Sequence, residues 1–449
     1  MYDLIVIGGG PAGYTAAIRA SQHGLKTALI EKDKAGGTCL NRGCIPTKAL
    51  LHSAKVYEEA GNSSAMGIST AGISYDINKA YEYKDNTVAR LRKGLLSLFE
   101  ANNIDYIISE ASFIDTETVS TVKGGVKGRN IIIATGSVPA TIPVKGIEYA
   151  LNSDGVLSNP LQGEVFAIIG GGVIGVEFAT YLSSIGRSVY LIEAVDRLIP
   201  MMSAELSQRL VMSLKKKKVK IFLSAKLNEI IENNGKYTVK FTDKDDKEKI
   251  VDSVICCTGR RANISGLRLE NAGLNPEGAL KVNSDMYTGS GRIFAAGDVT
   301  GGVQLAHYAA AQGICAVNSI LGLPRGVNLN VVPSCIYTHP EIATVGNVTE
   351  DENTATGKYL LGANGRAQIE QLNGYIKVYS DKRTDVLKGA EIYSPGATDI
   401  ISEAALAIAC KINVGDFIGV IHPHPTFSEG LLESVEDILG KAIHLMPKN

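Results

Sequence analysis

The sequence predicts an α/β fold built on two Rossmann-like dinucleotide-binding domains. Glycine-rich loops follow short apolar runs at two places, residues 8–13 and 170–175. Each loop leads into a segment of helical character and then into a second apolar run that ends at a glutamate. The succession of strand, glycine loop, helix, strand and acid is typical of dinucleotide-binding units. Its occurrence twice in one chain indicates two dinucleotides.

Composition favours a globular enzyme. The 449 residues carry a formal net charge of −1, which gives no reason to invoke nucleic acid or a membrane surface as a partner. The length suggests about three domains, and seven cysteines spread over so long a chain do not indicate a disulfide scaffold. No apolar run is long enough and free enough of glycine to span a bilayer. Because the chain also begins directly in an apolar run, we expect a cytoplasmic protein.

The first loop carries the complete dinucleotide-binding pattern. We expect a strand over residues 3–7, a helix from about Tyr14 to His23, and a second strand from Thr27 to Ile30. Gly8 makes the tight turn, Gly10 lets the backbone approach a pyrophosphate, and Gly13 permits close packing of helix on strand. The pyrophosphate binds at the helix N-terminus, and Glu31 can accept hydrogen bonds from the ribose hydroxyls.

The second loop follows a strand from Phe166 to Ile169 and precedes a strand from Ser188 to Ile192. Residues expected to contact its nucleotide are Gly170, Gly172, Val173, Ile174, Gly175 and Glu193. A carboxylate at Glu193 favours the 2′-hydroxyl of NAD and repels the 2′-phosphate of NADP. Arg197 is the one nearby cation, and we interpret it as a surface residue beside a helix.

Between the two loops lies a segment with two cysteines, residues 36–48. In a regular helix the Cα atoms of Cys39 and Cys44 would be roughly 8–9 Å apart, whereas a disulfide needs about 4.4–6.8 Å. A bond between them therefore requires an irregular turn, which the glycines permit. A helix from Thr47 to Glu59 would place the pair at a helix N-terminus, which favours a thiolate. The alternative is two buried cysteines in a glycine-rich turn.

The segment reads Gly-Gly-Thr-Cys-Leu-Asn-Arg-Gly-Cys-Ile-Pro-Thr-Lys and closely resembles the redox-active disulfide segment of the flavin disulfide reductases. Within that family it is most similar to the dihydrolipoamide dehydrogenases, and the resemblance covers nearly the whole chain. It implies FAD at the first loop, NAD at the second and a Cys39–Cys44 disulfide. It also implies oxidation of dihydrolipoyl groups with NAD as the electron acceptor.

The resemblance extends to individual cofactor contacts. Ala111 matches a backbone contact to adenine, Asp298 a partner of the ribityl chain, and Ala306 a neighbour of the isoalloxazine ring. Gly259 matches a segment near the nicotinamide nucleotide, as does Arg260. The residues implied to contact FAD are Gly8, Gly10, Gly13, Glu31, Lys32, Gly37, Thr38, Lys48, Ala111, Ala134, Thr135, Gly136, Ser137, Asp298, Leu305, Ala306 and His307.

A proline-rich stretch near the C-terminus carries the implied base. His424 and Glu429 resemble the family's base and its orienting carboxylate, and His422 is interpreted as structural. A metal site would need a third or fourth ligand, which the stretch lacks. Lys48 and Glu177 would form an ion pair beside the flavin ring.

The family's domain order implies an FAD domain over residues 1–142, an NAD domain over 143–262, a return to the FAD domain over 263–328, and an α+β dimerisation domain over 329–449. Residues 348–364 depart from the family by being short, with a helix truncated. The resemblance further implies a homodimer that shares its active sites. It implies as partner the lipoyl-bearing subunit of a 2-oxoacid dehydrogenase, acetoin dehydrogenase or glycine cleavage complex.

We expect a helix from Tyr81 to Asn102, and we interpret the basic residues on one of its faces as exposed to solvent. Two other local features have plain interpretations. The lysine run 215–218 fits the last turn of a helix, and Cys256 and Cys257 fit a buried strand because adjacent residues point to opposite faces. Two rival functions stay open. A glutathione reductase would be expected to prefer NADP, which disagrees with Glu193. A mercuric reductase usually carries cysteines near its C-terminus, whereas the last cysteine of this sequence is Cys410. A non-catalytic flavoprotein subunit would not need the cysteines and the base.

Overall fold

A computed structural model describes residues 1–446. The strands, in chain order, are β1 (Tyr2–Ile7), β2 (Thr27–Glu31), β3 (Asp105–Ile108), β4 (Ser112–Phe113), β5 (Thr118–Thr121), β6 (Gly124–Ile133), β7 (Ser137–Pro139), β8 (Val165–Ile169), β9 (Ser188–Ile192), β10 (Lys220–Phe222), β11 (Lys226–Asn233), β12 (Lys236–Thr242), β13 (Asp246–Val251), β14 (Ser253–Cys256), β15 (Arg260–Ala262), β16 (Ile293–Ala295), β17 (Ser334–Ile336), β18 (Glu341–Gly346), β19 (Thr354–Leu360), β20 (Tyr375–Asp381) and β21 (Leu387–Ser394). The helices are α1 (Pro11–Gln22), α2 (Gly37–Arg42), α3 (Cys44–Gly61), α4 (Ile77–Ala101), α5 (Ser153–Ser158), α6 (Val173–Ser184), α7 (Ala204–Lys216), α8 (Ala306–Ile320), α9 (Gly365–Ile369), α10 (Ala397–Ala409), α11 (Val414–Ile418) and α12 (Glu429–Ile438). Within this described part, no helix has the length and apolar character needed to cross a membrane.

The described residues form two compact units. The first comprises residues 1–170, 227–241 and 247–329, and the second comprises 171–226, 242–246 and the chain from 330 onward. The first is built on a sheet with the strand order β3-β2-β1-β6-β5-β4, in which β16 pairs with β6. β1 lies parallel to both β2 and β6. Its nearly continuous apolar sequence suits a strand that is covered on both faces.

Small side chains let helices pack closely on one face of this sheet. Alternate residues of β1 point to opposite faces, so Leu4 contributes to the core beneath α1 and α8 while Ile5 contributes to the core on the other face. Alanines of α1 and α8 line the first of these cores. A β-carbon on Gly313 of α8 would lie 2.4 Å from the carbonyl oxygen of Ala12, so the two helices meet backbone to backbone there.

Shorter pairings complete the first unit. β8 pairs in parallel with β14, and β7 pairs antiparallel with β15. Cys256 and Cys257, at the end of β14, are each 9% exposed and form no disulfide in the structure. Their prediction as core residues is confirmed.

The second unit begins with the rest of the second glycine loop, α6, and the parallel pair β9 and β10. The Ser203 side chain accepts the N–H of Leu206 and caps α7, whose last turn holds Lys215 and Lys216. The lysine run therefore ends a helix, as predicted, where its charges complement the helix dipole.

The C-terminal part of the second unit is an antiparallel sheet with the order β17-β18-β21-β20-β19. Its apolar core is shared with α10 and α12. Between β18 and β19, residues 347–353 form a loop without a helix. That residues 348–364 are shorter than in the family stays a prediction. The α+β character of this part of the chain is confirmed.

Three helices begin earlier than the sequence predicts. They start at Pro11 instead of Tyr14, at Cys44 instead of Thr47, and at Ile77 instead of Tyr81. Proline lacks an N–H and fits the first helical turn, so Pro11 extends α1. Asp76 caps α4 by accepting the N–H groups of Asn78 and Lys79. The division at residues 142, 262 and 328 stays a prediction.

Candidate active site

The loop between β1 and α1 is a cradle that requires glycine. Gly8 has φ +107°, and a β-carbon there would lie 2.3 Å from the carbonyl oxygen of Ala134. A β-carbon on Gly13 would lie 1.8 Å from the Gly8 carbonyl oxygen. Gly10 is the N-cap residue of α1. Because it has no side chain, a ligand can come close to the helix N-terminus. This arrangement fits the pyrophosphate of a dinucleotide.

Glu31 fixes this loop from the end of β2. Its Oε2 accepts the N–H of Gly9 at 2.7 Å, and its Oε1 accepts the N–H of Asp33 at 2.8 Å. Each carboxylate oxygen has a further lone pair, so ribose hydroxyls could still donate to it. The adjacent residue is Lys32, whose Nζ lies 3.8 Å from Glu110 Oε1.

A break between two helices brings the two cysteines together. Cys39 lies in α2, Cys44 begins α3, and Gly43 between the helices has φ −145° and ψ −113°. A β-carbon on Gly43 would lie 2.9 Å from the carbonyl oxygen of Thr38, so a larger residue would push the helices apart. The backbone between the cysteines is therefore irregular, as a disulfide at this spacing requires.

The structure holds Cys39 and Cys44 as two thiols in hydrogen-bonding contact. This contact and burial raise the pKa of the Cys39 thiol, and the charge of Lys48 acts in the opposite direction. Lys48 lies one turn after Cys44 in α3. Paired, half-buried thiols beside a cation are suited to opening and closing a disulfide.

Ser137, at the start of β7, connects two other predicted motifs. Its hydroxyl donates to Asp298 Oδ2 at 2.5 Å and accepts from Nε of Arg260 at 2.7 Å. Nη2 of Arg260 also donates to the Ser137 carbonyl at 2.8 Å. Burial lowers the pKa of the Arg260 guanidinium. The sequence predicts that Arg260 lies near the nicotinamide nucleotide, but it does not indicate the contact between Arg260 and Ser137. The two residues are 123 positions apart, so no local sequence pattern connects them.

The remaining residues predicted to contact FAD also lie in the first unit. The Thr135 hydroxyl donates to the Asn263 carbonyl at 2.6 Å. Leu305 caps α8, which begins with Ala306 and His307. Gln312 of the same helix accepts the N–H of Gly297, the residue before Asp298, at 2.8 Å. Ala111 lies between β3 and β4.

The second glycine loop repeats the first in its hydrogen bonding. The N–H of Gly171 donates to Glu193 Oε2, and the N–H of Val195 donates to Glu193 Oε1 at 2.8 Å. Gly170 has φ +104°, and a β-carbon there would lie 2.6 Å from the Cys257 carbonyl oxygen. Gly172 caps α6, whose first turn is Val173, Ile174 and Gly175. This loop fits a second dinucleotide.

Two side chains near this loop have defined partners. Glu177 is buried in α6, and its Oε1 accepts the N–H of Tyr337 at 3.0 Å, a contact that the sequence did not indicate. Arg197 donates to the Pro200 carbonyl at 3.0 Å. Lys48 belongs to the first unit and Glu177 to the second, and their ion pair stays a prediction.

His424 and Glu429 lie together in the second unit. The imidazole Nδ1 is 2.7 Å from Glu429 Oε1, and the N–H of Thr426 donates to Glu429 Oε2 at 2.7 Å. The His424 side chain is 75% exposed. Burial acts to raise the pKa of Glu429, but the hydrogen bonds from Thr426 and His424 lower it overall. The geometry orients the imidazole and leaves Nε2 open to a substrate proton.

A second imidazole has a different environment. His422 is nearly buried, with Nε2 2.7 Å from Glu403 Oε1 and Nδ1 3.0 Å from the Val420 carbonyl. Both of its ring nitrogens are engaged, which suits a structural role. Across the described residues, no cluster of three or more histidine, cysteine or acidic side chains could hold a metal ion.

Known proteins match this chain over nearly its full length. The family described as pyridine nucleotide-disulphide oxidoreductase matches residues 2–313, and its dimerisation domain matches residues 332–435. A dihydrolipoyl dehydrogenase of Bacillus subtilis (strain 168) is 38% identical, with 99% of each chain covered. The mitochondrial dihydrolipoyl dehydrogenase 1 of Arabidopsis thaliana is also 38% identical, over 99% of this chain and 91% of that protein.

Solved structures have the same fold. LpdA from Mycobacterium tuberculosis superposes with a TM-score of 0.88 at 25% identity, covering 96% of this chain and 99% of that one. The HOCl-induced flavoprotein disulfide reductase RclA from Escherichia coli gives a TM-score of 0.87 at 26% identity, covering 97% and 99%.

The two nucleotide cradles and the paired cysteines agree with these matches. The matched family is enzymatic and uses FAD and NAD(H), which the glycine loops are shaped to hold. The chain therefore belongs to the pyridine nucleotide-disulphide oxidoreductases and, within that family, to the NAD-dependent dihydrolipoyl dehydrogenases.

Proposed function

We propose that the reaction runs through a Cys39–Cys44 disulfide, with His424 as the base and Glu429 as its orienting carboxylate. The observation that carries the proposal is the break at Gly43, which puts the two thiols in hydrogen-bonding contact. A structural cysteine pair would not need a cation one turn away, whereas Lys48 supports a transient thiolate.

The chain's own residues carry the thiol chemistry. Nε2 of His424 removes a proton from one dihydrolipoyl thiol, and the thiolate attacks Sγ of Cys39. The Cys39–Cys44 bond breaks, a mixed disulfide forms, and Cys44 leaves as a thiolate. The second lipoyl thiol then attacks the first lipoyl sulfur, closes the lipoyl ring and releases Cys39. Two electrons have moved from the substrate to the cysteine pair.

FAD, when bound, supplies the two-electron path from the cysteine pair to NAD. Gly8, Gly10 and Gly13 would hold its pyrophosphate at the N-terminus of α1, Glu31 its ribose, and Asp298 its ribityl chain. Gly172 and Glu193 would hold NAD in the same manner. An ion pair of Lys48 with Glu177 would tune the flavin electronics.

Turnover with two substrate pairs tests the proposal. We expect steady oxidation of dihydrolipoamide by NAD and negligible reduction of glutathione disulfide by NADPH. Cys39→Ser should abolish the first reaction yet retain FAD, and it should leave a Cys44 thiolate with a long-wavelength absorbance band beside oxidised flavin. A plain flavin spectrum at every pH would contradict the assigned roles. Loss of turnover with all disulfides would favour a non-catalytic flavoprotein.

We further propose a cytoplasmic homodimer whose active sites each use both chains. The matched dimerisation domain supports the dimer, and the solvent exposure of His424 supports a base that reaches a partner. Inactive Cys44→Ser and His424→Gln chains, unfolded together and refolded, should regain activity, because each mixed dimer would hold one intact site. A mixture that stays inactive would contradict site sharing.

The partner supplying the lipoyl group would be a subunit of a 2-oxoacid dehydrogenase, acetoin dehydrogenase or glycine cleavage complex.

A further inference from the structure

Asn364 is a buried polar side chain to which the thiol chemistry above gives no part. It is the N-cap residue of α9 and is 3% exposed. Its Oδ1 accepts the N–H of Ala367 at 3.0 Å, and its Nδ2 donates to the carbonyl of Thr426 at 2.9 Å. Both partners are backbone groups, one a donor and one an acceptor, so they determine which end of the amide faces each of them. The side chain therefore caps α9 with its oxygen and holds Thr426 with its nitrogen.

Thr426 connects Asn364 to the proposed base. Its N–H donates to Glu429 Oε2 at 2.7 Å, and Oε1 of the same carboxylate is 2.7 Å from Nδ1 of His424. The Thr426 hydroxyl donates to the Pro423 carbonyl at 2.8 Å, and the Thr426 carbonyl accepts from Asn364. A change in the backbone orientation of Thr426 would therefore move the carboxylate that orients the imidazole.

Van der Waals contacts place α9 against the same part of the chain. Phe427 packs on a small buried cluster that includes Leu361 and Ala367, on either side of Asn364 in the sequence. A β-carbon on Gly365, the first residue of α9, would lie 3.8 Å from Cε1 of His424, which is an ordinary contact distance. Cε1 is the ring carbon between the two nitrogens. The hydrogen bond of Asn364 is therefore part of a packed contact that extends to the imidazole itself.

We propose that Asn364 is a positioning residue for the base. By holding the Thr426 carbonyl, it keeps Glu429 and the imidazole of His424 in the alignment that proton removal from a dihydrolipoyl thiol requires. The proposal rests on the role proposed above for His424. Proton transfer depends on the direction of Nε2, and a small misplacement of a reacting group can cost up to about 100-fold in rate. A purely architectural role would instead have Asn364 only cap α9.

Two substitutions separate the cap from the contact with Thr426. Asn364→Ser keeps an oxygen that can cap α9 but is too short to reach the Thr426 carbonyl, whereas Asn364→Ala removes both contacts. Reduction of the FAD-loaded enzyme by dihydrolipoamide, measured before steady state, should slow by roughly 5–10-fold in both variants, the scale of one lost hydrogen bond. The KM for dihydrolipoamide should change by less than about 2-fold, because the lost contact acts on proton transfer and not on binding. Asn364→Ala should also lower Tm by about 2 °C more than Asn364→Ser.

A double-mutant cycle tests whether Asn364 acts through Glu429. When Glu429→Ala has already removed the orientation of the imidazole, adding Asn364→Ser should slow reduction by less than a further ~2-fold. Asn413→Ala is the matched control, because the Asn413 side chain caps α11 by accepting the N–H of Asp416 at 2.8 Å. It should lower Tm as Asn364→Ala does and leave the rate unchanged. Reduction of an artificial oxidant by NADH should be spared in all of these variants.

A full rate for Asn364→Ser, with a loss confined to Asn364→Ala, would overturn the proposal, because the cap alone would then explain the effect. An equal loss for Asn413→Ala would do the same, and so would a double variant in which the losses from Asn364→Ser and Glu429→Ala multiply. Full rates for His424→Gln and Glu429→Ala would instead contradict the proposed base itself. The failure of this inference can therefore be distinguished from a failure of the proposed function.

Discussion

Removing the charge of Glu429 is the most informative test of the base. In the structure this carboxylate accepts from His424 Nδ1 and from the N–H of Thr426, both at 2.7 Å. These bonds outweigh burial and lower the pKa of Glu429, so the group is ionised in any neutral assay. Glu429→Gln keeps the shape of the side chain and removes the charge that stabilises a protonated imidazole.

The expected loss follows from the strength of the hydrogen bond. A hydrogen bond to a charged group contributes ~1.5–3 kcal/mol and a neutral one ~0.5–1.5 kcal/mol. The difference of about 1 kcal/mol corresponds to a loss of roughly 5–10-fold in rate for Glu429→Gln. Glu429→Ala also leaves the Thr426 N–H without its partner and the imidazole without orientation. Its loss should approach the ~100-fold expected when a general base is removed outright, as in His424→Gln.

Two assays separate proton removal by His424 from electron transfer to and from the flavin. Dihydrolipoamide oxidation by NAD should fall as stated, whereas reduction of an artificial oxidant by NADH should be spared in all three variants. The matched control is Glu403→Gln, since Glu403 makes an equally short contact with the other imidazole, His422. A full rate for Glu429→Gln, or an equal loss for Glu403→Gln, would refute the assignment.

Three further predictions concern other parts of the chain. Glu193→Gln should narrow the preference for NAD over NADP, and wild-type activity with NADP that equals or exceeds that with NAD would contradict the role of Glu193. Gly43→Ala should destabilise the protein by ~1–3 kcal/mol in urea unfolding, because its β-carbon would meet the Thr38 carbonyl at 2.9 Å; an unchanged midpoint would count against this packing. Glu433 raises the pKa of His444, so their pair stabilises the fold fully below the unfolded pKa of about 6.5 and loses its effect as pH rises through the folded pKa. His444→Gln should therefore lower Tm more at pH 5.5 than at pH 9, and the free energy of unfolding lost at pH 5.5 should be at most about 1 kcal/mol for so exposed a pair. An equal drop in Tm at both pH values would argue against the ion pair.

Contiguous motifs made much of the fold predictable. The glycine loops, the acids that follow them and the cysteine segment are each encoded within about thirty residues, so their spacing could be interpreted without long-range information. The starts of helices were less predictable, because a cap such as Asp76 or a proline such as Pro11 extends a helix beyond its periodic apolar pattern.

Long-range polar contacts could not be predicted. Ser137, Arg260 and Asp298 come from three separate stretches of sequence and meet only after β7 pairs with β15. Tyr337 reaches Glu177 across 160 positions through its backbone N–H, which no side-chain pattern encodes. Such contacts depend on the assembled sheets, and the sequence alone therefore does not predict them.

The two glycine loops share one arrangement of hydrogen bonds between a carboxylate and the backbone. In each loop the middle glycine and the second residue after the acid donate N–H groups to the two oxygens of that acid, Glu31 or Glu193. These hydrogen bonds hold each carboxylate in place before any ligand binds. Because an ionised carboxylate has no proton to donate, its remaining lone pairs can bind only a ligand group that donates a hydrogen bond. A ribose hydroxyl satisfies that requirement, whereas a 2′-phosphate brings negative charge against a carboxylate that cannot turn away. We therefore predict that the contacts which shape each loop also give it a preference for an unphosphorylated ribose.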